Sequence, residues 1–162
     1  MEREETVDAV RDWLDGDDWH YEYDAEKHLI KAGINLKSKI KSGRIFVDFK
    51  DDCYVVYVVA PINGDKDNLE ELMKYLTMAN YGLLNGNFEL DVRDGEVRYK
   101  TYVNCDELES LSSTVIQDSI CCGCAMMDRY GDGIAALAMG FSDADTEIKK
   151  AEHPNDEVTS GE

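Results

Sequence analysis

A chain of 162 residues, 43% of them hydrophobic, is long enough to bury one sizeable core and has the size of one ordinary domain. Its 35 Asp and Glu against 17 Lys and Arg give a net charge of -18, with no basic cluster dense enough to neutralise a row of phosphates, so nucleic acid is not the expected partner. The same charge opposes adhesion to an anionic membrane, and no apolar run approaches the roughly 20 residues of a spanning helix.

The opening "MEREETVDAVRDWL" is acidic where a secretory signal is basic, which points to the cytoplasm. Val7, Val10, Trp13 and Leu14 share one stripe at helical spacing, so residues 6–15 form an amphipathic helix that Gly16 is placed to end. From His20 to Ile62 the period changes to two. Tyr21 and Tyr23, then Ile30, Ala32, Ile34 and Leu36, then Ile45, Val47 and Phe49, then Tyr54, Val56 and Val58 alternate as strands do. Asp51-Asp52 closes the last two strands as a tight hairpin.

Leu69, Leu72, Met73, Leu76 and Leu83 return to helical spacing, with Asp67 and Glu70 as a capping box and an end near Leu84. Residues 88–104 form a hairpin about Asp94-Gly95. A two-residue turn there sets Glu89 opposite Lys100, Leu90 opposite Tyr99, Asp91 opposite Arg98 and Val92 opposite Val97, with the charged pairs on the exposed face. A third helix starts near residues 112–114, capped by Thr114 and Gln117, and carries Val115, Ile116, Ile120, Met127, Tyr130, Ile134 and Leu137; Gly131 and Gly133 are candidate kinks. Residues 142–162 hold no sustained apolar stripe and are expected to be a disordered acidic tail after a single domain over 1–141.

Gly82, Asn85 and Gly86 lie at the end of a helix and before a strand, the reverse of a phosphate-binding loop, so "NYGLLNGN" is a corner. In "CCGC" the Cys121 and Cys124 spacing would suit a redox pair or half a zinc site. It lies about two turns inside the third helix, however, and Cys53, Cys105, His20 and His28 supply no second close pair. Small core cysteines are the expected reading, with no metal and no cofactor. "DGDDW" and "DRYGDG" are acid-rich but fail the calcium-loop spacing at Trp19, His20 and Tyr130. No nucleophile motif surrounds any histidine, so no catalytic residue is assigned and the chain is not expected to be an enzyme.

The segment "LMKYLTMANYGLLNGNFELDVRDGEVRYKTYVN", with the later "MMDRYGDGIAALAMG", resembles the YbjN family of bacterial sensory transduction regulators over residues 4–141. The resemblance implies regulation by binding, and a fold like that of class I type III secretion chaperones: an α+β domain with an antiparallel sheet flanked by helices. The implied order is helix, three to four strands, helix, β-hairpin and long helix, which agrees with the order read above. A protein partner of unknown identity is the expected ligand; the alternative is a small-ligand sensor or enzyme with a pocket between helix and sheet.

One face of the hairpin closed by Asp51-Asp52 carries Ile45, Val47, Phe49, Tyr54, Val56 and Val58. The other, with Phe46, Val55, Tyr57 and Val59, is also apolar, interrupted by Asp48 and Lys50. One layer of helices cannot cover both sides. The four residues Phe46, Val55, Tyr57 and Val59 are therefore the candidate binding face, to be covered by the first helix, by a partner protein or by a second copy in a homodimer.

Overall fold

The computed structural model describes residues 1–155. Helix α1 (Arg3–Gly16) leads into four strands, β1 (Tyr21–Asp24), β2 (Leu29–Asn35), β3 (Ser42–Phe49) and β4 (Cys53–Val59). A 3-10 turn (Lys66–Asn68) runs into α2 (Leu69–Asn80), followed by β5 (Asn87–Leu90), β6 (Val97–Asn104), α3 (Ser113–Ala138) and α4 (Ala144–Glu152). The class is α+β. The six strands form one antiparallel sheet in the order β1-β2-β3-β4-β6-β5, so the second hairpin joins the first through β6 beside β4.

Alternation decides what each strand buries. Ile30, Val47, Val56 and Thr101 lie in one row across the sheet, and Ala32, Ile45, Val58, Tyr99 and Phe88 in the next. These rows meet Val10 of α1 and Ile116, Ile120, Met127 and Ile134 of α3 in one hydrophobic cluster. Close helix approach needs glycine. A Cβ on Gly123 would press into Val58, one on Gly133 would overlap the Tyr75 hydroxyl and one on Gly131 would overlap Ser38. These glycines do not break α3, which runs on through Gly131 and Gly133 to Ala138. Phe88 meets Tyr99 and Tyr130 edge-on at 4.9 and 5.4 Å, and the buried Tyr75 hydroxyl donates to the Tyr130 carbonyl at 2.9 Å.

Several local expectations are corrected. Helix α2 is introduced by Asp65, which accepts from the Asp67 N–H at 3.0 Å, and not by an Asp67 and Glu70 box. It ends at Asn80 rather than near Leu84, because the Asn80 amide turns to the next strand: Phe88 N–H donates to its Oδ1 at 2.7 Å and its Nδ2 donates to the Phe88 carbonyl at 3.0 Å. Ser112, accepting from Val115 N–H, caps α3 in place of Thr114.

The second hairpin is shifted along its register. Leu90 pairs with Val97, Glu89 with Arg98 and Phe88 with Tyr99, so Asp91 and Arg93 lie in a longer loop and Val92 is 58% exposed. The loop is longer because Gly95, at φ +78°, docks on another segment: Gly64 N–H donates to its carbonyl at 2.8 Å, and a Cβ there would overlap Gly64. Asp91 and Asp94 tie the loop by accepting from Arg93 N–H and Glu96 N–H, both at 2.9 Å.

The expectation of a disordered tail from residue 142 is also overturned for residues 144–152, which form α4. Its apolar stripe is short, Ala144, Ile148 and Ala151, yet polar ties complete the docking. Asp143 caps the helix through Thr146, Glu71 accepts from the Ala144 N–H at 2.7 Å, Lys74 pairs with Asp145, and the Tyr130 hydroxyl donates to Glu152 at 3.1 Å. The remainder of that expectation, residues 156–162, lies outside the described residues.

Candidate functional site

All the helix packing on the sheet falls on one side, so the other side is the candidate site. Its geometry follows from the ladder. Phe46 pairs with Tyr57, Asp48 with Val55 and Arg44 with Val59, and β6 continues these rows with Lys100, Tyr102 and Arg98. The four residues singled out in sequence thus lie side by side on the face away from the helices. Phe46, Val55 and Tyr57 are half-buried, whereas Val59, between the registers of Arg44 and Arg98, is only 4% exposed. Helix α1 does not cover this side: its Val7, Val10 and Leu14 belong to the cluster on the other face.

Charged neighbours frame the aromatic rings. The Arg98 guanidinium stands 4.2 Å from the centre of the Tyr57 ring while its Nε donates to Glu89 at 2.7 Å, and Lys100 pairs with the same carboxylate. Burial by itself would raise the Glu89 pKa, but the hydrogen bonds from Lys100 and Arg98 outweigh it and hold the carboxyl below its ordinary value. Arg44 lies 5.9 Å from the Phe46 ring, and Lys50 pairs with Asp48 at 2.7 Å, a hydrogen bond that raises the lysine pKa. Counting Glu22 and Asp24 of β1, the face carries Lys31, Arg44, Lys50, Arg98 and Lys100 against four carboxylates, in a chain where acids outnumber bases two to one.

Tyr102, 59% exposed, and Arg98 and Lys100 belong to this face but were not grouped with it from sequence. The period-two pattern of Val97, Tyr99, Thr101 and Val103 puts them on the opposite side of β6. Only the pairing of β4 with β6 brings them beside Tyr57, and that neighbour is remote in sequence.

The other constellations have structural roles. Asp128 and Asp132 of "DRYGDG" face the β2–β3 turn, accepting from Ser38 N–H at 2.8 Å and Lys39 N–H at 2.7 Å, with Gly131 leaving room for that turn. All five cysteines are free. Burial pushes Cys124 up to about 12 and raises Cys121 and Cys105, so these thiols are held protonated, the reverse of a reactive thiolate. Trp13 and Trp19 pack 6.2 Å apart against the core. The layer between helices and sheet is filled: Ile45, Val56, Val58, Tyr99, Ile120 and Met127 are each at most 2% exposed. No helix of the described residues is long and apolar enough to cross a membrane.

The family model YbjN, described as "Putative bacterial sensory transduction regulator", matches residues 6–136. The chain belongs to the YbjN family. Among solved structures it is similar to the crystal structure of YbjN from E. coli, at 12% identity and a TM-score of 0.59, covering 83% of this chain and 92% of that one, a likeness of fold. No curated protein matches the chain in sequence. The match to the YbjN model ends before α4 begins, so the docked helix lies outside the part of the chain that the model describes.

Proposed function

We propose that this chain is a noncatalytic regulatory module of bacterial type, working in the cytoplasm by binding protein, with the open sheet face as its docking surface and a second copy of the chain as the resident occupant. The observation that carries the reading is the one-sided layering: the helices that reach the sheet pack on one face, leaving half-buried Phe46, Val55 and Tyr57 and exposed Tyr102 with no helix over them. The family description supports a regulator, the filled interlayer supports binding at a surface rather than in a pocket, and five free thiols suit a reducing compartment.

Two quantities favour a second copy. Chains of charge -18 repel one another over most of their surface, and this face, with its nearly balanced charges, is where that repulsion is least. Strands β2, β3, β4 and β6 are seven or eight residues long. At about 4.8 Å between strands and about 3.3 Å per residue they present roughly 19 by 26 Å before side-chain relief. That is a projected area of about 490 Å², some three-fifths of the ~800 Å² per partner of a standard-size interface, which side-chain relief and the flanking strands would have to make up. A further client protein would bind in the chaperone-like manner that the resemblance implies, in exchange with the second copy.

Sedimentation velocity tests the reading. The wild-type chain is expected to sediment as a dimer at micromolar concentration, and Tyr57→Asp as a folded monomer with unchanged far-UV circular dichroism. A monomeric wild type, or a Tyr57→Asp chain that unfolds, would make this face ordinary surface or ordinary core.

A further inference from the structure

Strand β6 outruns its neighbour. β5 pairs only with residues 97–100, so from Thr101 to Asn104 that side of β6 has no strand beside it. Bonds at either end fix which main-chain groups face the gap. The Val97 carbonyl accepts from Ala60 N–H at 2.9 Å and Cys105 N–H donates to the Asp52 carbonyl at 2.8 Å, both on the β4 side, while the Glu96 carbonyl accepts from Asp91 N–H at 2.9 Å on the β5 side. Odd-numbered residues of β6 therefore bond towards β4 and even-numbered ones face away. Tyr102 and Asn104 turn their N–H and C=O outward beyond the end of β5. Among the described residues, no hydrogen bond reaches the main chain of Tyr102 from that side.

The outer edges of the two end strands are managed differently. Phe88 of β5 faces outward by the same alternation, and there the Asn80 amide seals both its N–H and its C=O. β1 is four residues long and carries Glu22 and Asp24, charges that discourage an added strand. The bare half of β6 has neither device. Along it runs a cleft of about 330 Å³ lined by Asn85, Tyr102, Val103, Val115 and Asp118 among others, with Val115 41% exposed. Its side-chain charges are acidic: Asp118 on the wall, and Asp106, Glu107 and Glu109 in the loop after β6, are exposed and in no side-chain ion pair among the described residues. The N-terminal ammonium lies on that loop, donating to the Cys105 and Leu108 carbonyls at 3.2 and 2.9 Å.

We propose that the bare half of β6 is a docking edge for an extended basic segment of a partner protein, which adds a strand beside residues 102–104. The segment's main chain pairs with the outward groups of Tyr102 and Asn104. Because its side chains alternate, those on the helix side meet Val103 and Val115 at one position and Asp118 two residues on, so an apolar residue followed at that spacing by Lys or Arg fits the edge. This does not rest on self-association through the open face: the Tyr102 side chain lies on that face, but the edge uses the main-chain groups of Tyr102 and Asn104 and the helix-side residues Val103, Val115 and Asp118.

The test is a titration of the full, nitrogen-15-labelled chain with the peptide acetyl-Thr-Val-Thr-Lys-Thr-amide, followed by amide NMR. Saturable shifts centred on the Tyr102 and Asn104 amides are expected. Tyr102→Pro removes only an outward N–H and is expected to abolish the shift at Asn104, whereas Tyr102→Ala keeps the N–H and retains binding, so a loss caused by damage to the strand is recognised. Asp118→Lys, at an exposed helix position, is expected to weaken the peptide at least about tenfold. Absence of shifts at Tyr102 and Asn104 with millimolar peptide, or equal shifts with the Glu-containing counterpart acetyl-Thr-Val-Thr-Glu-Thr-amide, would overturn the proposal. Asp118→Lys, on α3 and away from the open face, is not expected to alter sedimentation of the chain, so the two readings fail separately. The Tyr102 variants are read only by the shift at Asn104, because the Tyr102 side chain belongs to the open face.

Discussion

Ile45 and Phe46 are neighbours in the chain, as are Val56 and Tyr57, yet they meet different environments. Ile45 and Val56 are at most 2% exposed beneath the helices, whereas Phe46 and Tyr57 are only partly buried, with the guanidinium groups of Arg44 and Arg98 at 5.9 and 4.2 Å from their ring centres. Both sides of the β3–β4 hairpin are apolar, but only one has helices. Apolar alternation reports which surfaces are driven from water, and the supply of covering elements decides which of them the chain buries by itself. On the covered side the cover is α1 and α3. For the open side we propose that it comes from another molecule.

Paired truncations break or sharpen this comparison most strongly. Ile45→Ala removes fully covered atoms and is expected to cost about 2–5 kcal/mol in urea unfolding. Phe46→Ala, the next residue, is expected to cost less than about 1.5 kcal/mol when measured at concentrations low enough to keep the chain monomeric, despite deleting a larger side chain. Equal losses at the two positions would erase the distinction between the faces.

Next in size is the seal on β5. Asn80→Ala leaves the Phe88 N–H and C=O without their side-chain partner and is expected to cost about 1–3 kcal/mol, with faster amide exchange confined to the α2–β5 corner. A neutral effect would mean that water replaces the amide without loss.

A smaller effect concerns the charges on the open face. The folded pKa of Glu89 is depressed, so its contribution is present above the ordinary glutamate value of 4.5 and is lost as pH falls through the lower folded value. The stability gap between wild type and Glu89→Gln should accordingly be open at pH 7 and shrink below about pH 4, read from urea midpoints at each pH. Smallest in stability terms is the thiol comparison. Cys124, on the covered side with a pKa pushed up to about 12, is expected to react with a thiol reagent at pH 8 only as fast as the chain unfolds.

Much of this fold is legible in sequence because it depends on local period. The strands β1 to β4, the tight Asp51-Asp52 turn, where Lys50 N–H donates to the Cys53 carbonyl at 2.8 Å, and the long α3 all follow from spacing. What is not legible depends on remote contact. The second hairpin changes register because Gly95 docks on Gly64, thirty-one positions away, and α4 folds on three small apolar residues because Glu71, Lys74 and Tyr130 wait for it. The candidate face divides in the same way. Phe46, Val55, Tyr57 and Val59 could be grouped from one hairpin, whereas Tyr102, Arg98 and Lys100 join them only through the pairing of β4 with β6.

The central claim, that a second copy covers the open face, is tested most directly by isotope-filtered NMR on an equal mixture of labelled and unlabelled chains. The account predicts intermolecular contacts from the Phe46 and Tyr57 ring protons and the Val55 methyl groups. A mixture in which contacts between chains arise from the helices instead, or in which there are none, would contradict it.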